Sequence, residues 1–323
     1  MNTSQEFHRL PIEDSTYRLD EHGPLFICGC PRSGTTFLSK SIGRVTQIEE
    51  FSGVIAPPRI MHLIGFHSSM GNTHHVNELL HLMRDVFWQS FWRRILSRSE
   101  RVSQVALRQK PLTWMFGTPS ITNQIFCYKE PFAAFAINEM TDYFPQAKVI
   151  HIVRDGRDVA DSMERSYPDA LSNQVLRSEH LAMQKNSEIG VARAVCDSLV
   201  PWWVPEHEST SFLKSSKYGR YIWMWREIVK RMKACEKKMD RNRFLELRYE
   251  SVISDPVGNA EKIYEFIGLG MNRSLKRRLR AGRASSIGIA GRNQSDQRIT
   301  EASAIAGETL SSFTHQDIKQ NPV

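Results

Sequence analysis

Pro24-Leu25-Phe26-Ile27-Cys28-Gly29-Cys30-Pro31-Arg32-Ser33-Gly34-Thr35-Thr36 joins a short apolar run to a glycine-flanked turn. The run Pro24 to Cys28 is too short for a helix and is bounded by turn residues, so it reads as a buried strand. Gly29 to Gly34 is the turn, and Thr35 to Ile42 opens a helix. Gly29 and Gly34 have the spacing of the phosphate-cradling pattern G-x-x-x-x-G-K-[ST], with Thr36 as its hydroxyl. Thr35 stands where that pattern has lysine. A turn feeding a helix N-terminus still points N–H groups at an anion, and the helix dipole adds to the attraction. A kinase or ATPase needs the missing ammonium on its β/γ-phosphates, usually with Mg²⁺. Arg32 lies inside the loop instead, and a planar guanidinium grips a phosphate or sulfonate with two prongs and no metal.

Outward from this segment, strands and helices alternate. Ile125 to Tyr128 is a second strand candidate, and Pro131 to Phe144 reads as a helix with proline in its first turn. Lys148 to Val153 is β-branched, bounded by Pro145 and Asp155-Gly156, and reads as a strand, with a helix from Val159 to Arg165 after it. Tyr218 to Lys238 is a long amphipathic helix and Phe244 to Arg248 a further strand. Asp255-Pro256 starts a helix that ends near Gly268. The tail from Gly282 reads as a loop and then a short helix. The alternation predicts an α/β fold, a P-loop-type, mostly parallel sheet flanked by helices. We expect a flexible leader over residues 1–23 and one domain over 24–323. Residues 44–125 read as mostly helical and 166–216 as a second insertion or lid.

Composition narrows the class. The 323 residues are 41% hydrophobic and 24% charged, which is ordinary for a globular protein and excludes a disordered, collagen-like or coiled-coil chain. No apolar run reaches the roughly 18 residues of a membrane helix, and residues 1–20 lack the apolar core of a signal peptide. The formal charge is +8, which fits an anionic partner or a solvated basic face. Cys28, Cys30, Cys127, Cys196 and Cys235 are odd in number and irregular in spacing. They read as free thiols in a reducing, cytoplasmic setting, with no metal site. No helix-turn-helix, RNA-binding or zinc pattern supports a nucleic-acid partner. A homodimer is compatible with the sequence.

A second motif follows the strand at 148–153: Arg154-Asp155-Gly156-Arg157-Asp158-Val159-Ala160-Asp161-Ser162. Arg154 ends the strand and Ser162 lies in the next helix, so both can face the carboxyl edge of the sheet, where ligands of such sheets bind. The pair could hold a second phosphate about one nucleotide from the first loop. A capping cluster of Asp155 or Asp158 with Arg157 is the structural alternative.

The two motifs in this order resemble the sulfotransferases that use 3′-phosphoadenosine 5′-phosphosulfate (PAPS). A third segment, Arg248-Tyr249-Glu250-Ser251-Val252, then Asp255-Pro256 and Phe266-Ile267-Gly268-Leu269, is similar to another signature of that family. The resemblance implies transfer of a sulfuryl group to a hydroxyl, or an amine, with 3′,5′-adenosine bisphosphate (PAP) as product and no metal. It implies that Arg32, Ser33, Gly34, Thr35 and Thr36 hold the 5′-phosphosulfate, that Arg154 and Ser162 hold the 3′-phosphate, and that Tyr249 contacts the nucleotide. Cys127-Tyr128-Lys129-Glu130-Pro131-Phe132 and Glu49-Glu50 are similar to segments of the protein-tyrosine branch. There the lysine steadies the transferred sulfonate and the second glutamate is the base, which implies those roles for Lys129 and Glu50. The segment from Gly282 to Gln297 is faintly similar to the branch's cofactor-covering loop, in which Arg283 would reach the 3′-phosphate. Gly288 and Ser52 depart from that branch and favour a small-molecule, glycan or lipid acceptor over a protein tyrosine.

Glu49, Glu130, His67, His74 and His75 are the rivals of Glu50 as base. Trp223 and Trp225 read as core, whereas Trp202-Trp203, in the second insertion, read as candidates for an acceptor pocket.

Overall fold

The computed structural model describes residues 23–42, 48–52, 58–108, 125–187, 192–271 and 295–320. The chain opens with β1 (Leu25–Cys28) and α1 (Thr35–Ile42), followed by β2 (Ile48–Ser52), α2 (Pro58–Ser69) and the long α3 (Thr73–Arg108). Next come β3 (Ile125–Lys129), a 3-10 turn (Pro131–Phe135), α4 (Ile137–Tyr143), β4 (Lys148–Val153) and α5 (Gly156–Ser166). The segment after α5 holds α6 (Asn173–Ser187), the hairpin β5 (Ala192–Val195) and β6 (Ser198–Pro201), and α7 (Ser209–Lys214). The chain then forms α8 (Lys217–Lys238), β7 (Phe244–Arg248), α9 (Tyr249–Ser254), α10 (Pro256–Ile267) and α11 (Asp296–Gln320).

Five strands make one sheet in the order β2-β3-β1-β4-β7, every neighbouring pair parallel. β1 is central, which explains its uninterrupted apolar run: all four of its residues are buried. Alternate residues serve opposite faces. Phe26 and Cys28 enter the larger core layer with α2, α3, α4, α5 and α8. Leu25 and Ile27 enter a smaller layer with Leu38 of α1 and the apolar stripe Ala260, Ile263, Tyr264 and Ile267 of α10. α10 starts as its sequence indicates, with the Asp255 carboxylate accepting from Gly258 N at 2.9 Å and proline following the cap.

One strand was missed and two expectations need correction. The described part of 44–125 is mostly helical, as expected, but β2 lies among it. Its sequence Ile48-Glu49-Glu50-Phe51-Ser52 is too polar to read as a strand, and the position it takes, at the sheet's edge, tolerates that polarity. The helix expected over Pro131 to Phe144 is split at Ala136, whose φ of −121° is not helical. The closing helix is long rather than short, with a kink at Ala306.

Candidate active site

Several of the residues singled out from sequence lie at one edge of the sheet. Parallel strands point all their carboxyl ends the same way, and β1, β3, β4 and β7 end respectively at the Gly29–Gly34 loop, Lys129, Arg154 and Tyr249. The loop is a tight turn closed by Ser33 N donating to Cys30 O at 3.0 Å, and α1 begins its ladder with Leu38 N to Gly34 O at 2.9 Å. Gly29 and Gly34 have φ of +154° and +98°. A Cβ on Gly29 would stand 2.2 Å from Ile152 O, and one on Gly34 would stand 2.5 Å from the Tyr249 ring. Both glycines are therefore required sterically as well as conformationally. Arg32, at φ +71°, occupies the left-handed region and carries its side chain outward.

That side chain joins the two motifs. Arg32 Nε donates to Ser162 Oγ at 3.0 Å across 130 residues of sequence. Arg154 is buried; its Nη1 donates to Arg32 O at 3.4 Å and its Nη2 pairs with Asp158 Oδ2 at 3.2 Å. The Arg154 guanidinium lies 4.7 Å from the centre of the Tyr249 ring, the same ring that closes over Gly34. Arg32, Ser162, Arg154 and Tyr249 thus form one connected network between the loop and the start of α5. The capping alternative is also realised: Asp155 accepts from Arg157 N at 2.9 Å and pairs with the Arg157 guanidinium at 2.6 Å. Capping of α5 and the Arg154 network use different residues and coexist.

Sequence reading did not single out Asp158 as the partner of Arg154 or Glu250 as a support. The i, i+4 spacing of Arg154 and Asp158 is the signal that could have shown the first. Glu250 Oε1 accepts from Asp155 N at 3.1 Å, tying the start of α9 to the loop after β4. Burial raises its carboxyl above the ordinary range.

The remaining candidates divide. Lys129 ends β3 half-buried, in register with Ile27 of β1 and Ser52 of β2. Glu50 pairs in register with Cys127, and the backbones of Glu49 and Glu50 belong to β2; their side chains lie outside the described ones. Glu130 is buried, which raises its carboxyl, and its Oε1 caps the 3-10 turn by accepting from Phe132 N at 3.1 Å. Arg283 lies outside the described residues.

His67, His74 and His75 cluster at the turn between α2 and α3. His67 stacks on His75 with ring centres 4.8 Å apart, and burial together with His75 lowers its pKa. His74 pairs with Glu78 at 3.3 Å, and His75 with Asn72 at 3.0 Å. Ser68, beside His67, bonds Glu139 of α4, the helix that leads the chain back toward the start of β4.

Trp202 and Trp203, expected to line an acceptor pocket, are core residues with 5% exposure each. Trp203 stacks on Phe135, and Trp202 packs edge-on against Phe66 and His62. Trp202 Nε1 donates to His62 Nδ1 at 3.2 Å. Trp223 and Trp225 are buried on α8, as expected.

The loop carries one unsatisfied buried hydroxyl. Ser33 Oγ is fully buried and has no partner among the described residues. A buried hydroxyl left so is costly unless a ligand satisfies it. With the first N–H groups of α1 and the guanidiniums of Arg32 and Arg154, it makes a donor set suited to an anion carrying phosphate-like groups at two points. Among the described residues no group of acidic, histidine or cysteine side chains is arranged to hold a metal ion, and no helix is long and apolar enough to cross a membrane.

Comparison with known proteins bears on the same segments. Omega-hydroxy-beta-dihydromenaquinone-9 sulfotransferase Stf3 of Mycobacterium bovis and of Mycobacterium tuberculosis is 29% identical over 142 residues. That match spans 44% of this chain and only 28% of the relative's length. Solved structures that superpose include the sulfotransferase domain from the Synechococcus PCC 7002 olefin synthase, at 17% identity and a TM-score of 0.45, covering 88% of this chain and 94% of that one. Another is mouse sulfotransferase SULT7A1 complexed with PAP, at 14% identity and a TM-score of 0.42, covering 92% of each. A sulfotransferase family model matches residues 24–185 and 191–273, running through the loop, Lys129, Arg154, Ser162 and Tyr249, and the chain belongs to the sulfotransferase family.

Proposed function

We propose that this protein moves the sulfuryl group of PAPS to a hydroxyl of a small-molecule, glycan or lipid acceptor, releasing PAP. One observation carries the reading: Arg32, Ser162, Arg154 and Tyr249 connect the loop after β1 and the start of α5 into a single network. A nucleotide with anionic groups at both its 5′ and 3′ positions fits such a site; a nucleoside triphosphate uses only the first. The mycobacterial relative is named for an omega-hydroxy acceptor, which supports a hydroxyl here.

When bound, the nucleotide supplies a sulfuryl group attached to a phosphate leaving group. Ser33, Thr35, Thr36 and the N–H groups from Gly34 onward hold its 5′ end. Arg154 and Ser162 hold the 3′-phosphate, with Arg283 as a further cation and the Tyr249 ring as a wall. Arg32 and Lys129 place positive charge where negative charge grows on the leaving group, the place a metal takes in phosphoryl transfer. Glu50 takes the acceptor's proton. Its strand ends beside Lys129, whereas Glu130 is engaged as a cap and His67, His74 and His75 are engaged with one another and with Glu78 and Asn72 at the α2–α3 turn. The site is assigned to one domain over residues 24–323, with parts of 44–125 and 166–216 shaping the acceptor side. The buried free cysteines of the core support a cytoplasmic setting.

Calorimetric titration with PAP, with ATP as the control and no added metal, tests the cofactor class. Tight PAP binding with weak ATP binding is expected; preference for ATP, or no binding of either, overturns the reading. For the base, Glu50→Gln is expected to keep PAP affinity and lose turnover, and full turnover in that variant would move the role to Glu49 or Glu130.

A further inference from the structure

α11 grips α5 on the flank next to the Arg32–Ser162–Arg154 network. Arg298 sits in the first turn of α11, where Ser295 caps the helix by accepting from Arg298 N. Its Nη1 donates to Asp161 Oδ1 at 3.2 Å and its Nη2 to Glu164 Oε2 at 2.6 Å, both on α5. The same guanidinium lies 4.8 Å from the centre of the Tyr218 ring, which packs it between an apolar wall and two carboxylates. A guanidinium held in this way fixes direction as well as distance, unlike a lysine ammonium. Asp161 is 9% exposed and immediately precedes Ser162, the residue that accepts from Arg32. α11 is itself anchored elsewhere. Glu301 accepts from Ser216 N at 2.8 Å and Ser216 Oγ at 2.6 Å at the start of α8, and Arg226 Nη1 donates to Ile305 O at 3.1 Å.

α5 is therefore held on two adjoining flanks along its length. On one, Asp158 and Ser162 meet Arg154 and Arg32. On the other, Asp161 and Glu164 meet Arg298. At 3.6 residues per turn, Asp161 lies next to Ser162 and Asp158 around the helix, and Glu164 continues that flank away from them. Asp161 and Ser162 are neighbours at its middle, so a small rotation of α5 that loosens Asp161 also swings Ser162. We infer that Arg298 is a positioning residue for the 3′-phosphate subsite, setting the rotation of α5 so that Ser162 faces Arg32 and Arg154. The inference rests on the proposed PAPS reading.

The test reads selectivity rather than stability. PAP and adenosine 5′-phosphate, which differ by the 3′-phosphate, are titrated into the wild type, Arg298→Ala and Arg298→Lys. Glu301→Ala serves as the control, because it loosens the same helix from α8 without touching α5. The wild type is expected to prefer PAP. Arg298→Ala is expected to lose about tenfold in PAP affinity and less than about twofold in adenosine 5′-phosphate affinity. Arg298→Lys, which keeps the charge without the fork, is expected to fall between, and it carries the test where the alanine variant does not fold. Glu301→Ala is expected to lower Tm and leave the ratio of the two affinities unchanged. Equal losses for both nucleotides in the arginine variants, or an unchanged ratio, overturn the role of Arg298 while leaving the PAPS reading intact. A wild type indifferent to the 3′-phosphate overturns that reading and this inference with it.

Discussion

The loop after β1 and the ring cluster around Trp202 are held by different forces. The loop side depends on backbone shape and charge: two glycines against Ile152 O and Tyr249, and two arginines shared between segments. The Trp202 side depends on interlocked rings: His62, Phe66, Phe135 and Arg231 pack around one indole. Gly65 packs so closely there that a Cβ would stand 2.3 Å from Phe135 O and 2.5 Å from the Trp202 ring. Forces of the first kind shape the proposed binding site, while those of the second hold the ring cluster together. Damage to either should therefore be separable.

The largest expected effect is on the ring side. Trp202→Ala deletes a buried indole and is expected to cost about 3–5 kcal/mol of stability, measured by urea unfolding. Protein that remains folded at low temperature is expected to bind PAP as the wild type does. A parallel loss of PAP affinity would show that the two sides are one mechanical unit. On the loop side, Arg32→Ala is expected to lower turnover by roughly 10²–10³-fold, the usual effect of removing one charge-stabilising donor. Arg32 is exposed, so Tm is expected to move little, and a large fall in Tm would make its role structural. Next in size, Arg154→Ala is expected to weaken PAP by about 10- to 100-fold and adenosine 5′-phosphate much less, since hydrogen bonds to charged groups are worth about 1.5–3 kcal/mol. Equal weakening of both would remove Arg154 from the 3′-phosphate.

The same contrast explains what could be read in the chain. The loop side is local: Leu25 to Cys28 had to be a central strand because nothing in it is polar, and the glycines and the arginine lie in consecutive positions. Lys148 to Val153 was legible from its β-branched run and the turn residues that bound it. β2 was not, because an edge strand may carry two glutamates and a serine, and its pairing with β3 depends on residues about 77 positions away. The hairpin β5–β6 has no Asn-Gly or Asp-Gly turn to announce it; Cys196, at φ +51°, takes the left-handed position instead. An indole carries no mark of whether it lines a pocket or fills a core, so Trp202 was read as pocket although it is walled in by residues from three other segments. Arg298 was illegible for a similar reason, since its partners lie 137 and 134 residues before it.

Acid gives the gentlest way to separate the two sides. His62 sits among the Phe132, Phe135 and Trp202 rings and accepts the Trp202 N–H, and enclosure together with Arg231 lowers its pKa to about 4. In the unfolded chain it titrates near 6.5. Between these values the unfolded state binds the extra proton, so stability falls as pH drops from about 6.5 toward 4 and is fully present above that window. After discounting for the ring's partial exposure, the loss between pH 7 and pH 5 is about 1 kcal/mol. His62→Gln keeps an acceptor for the indole without the titration, and its stability is expected to be flatter over that range. PAP affinity of the folded protein is expected to be the same in both proteins at each pH, because the ring side bears the proton and the loop side does not. An unchanged pH slope in His62→Gln would place the acid sensitivity in another group, with the His67–His75 stack at the α2–α3 turn the next to test.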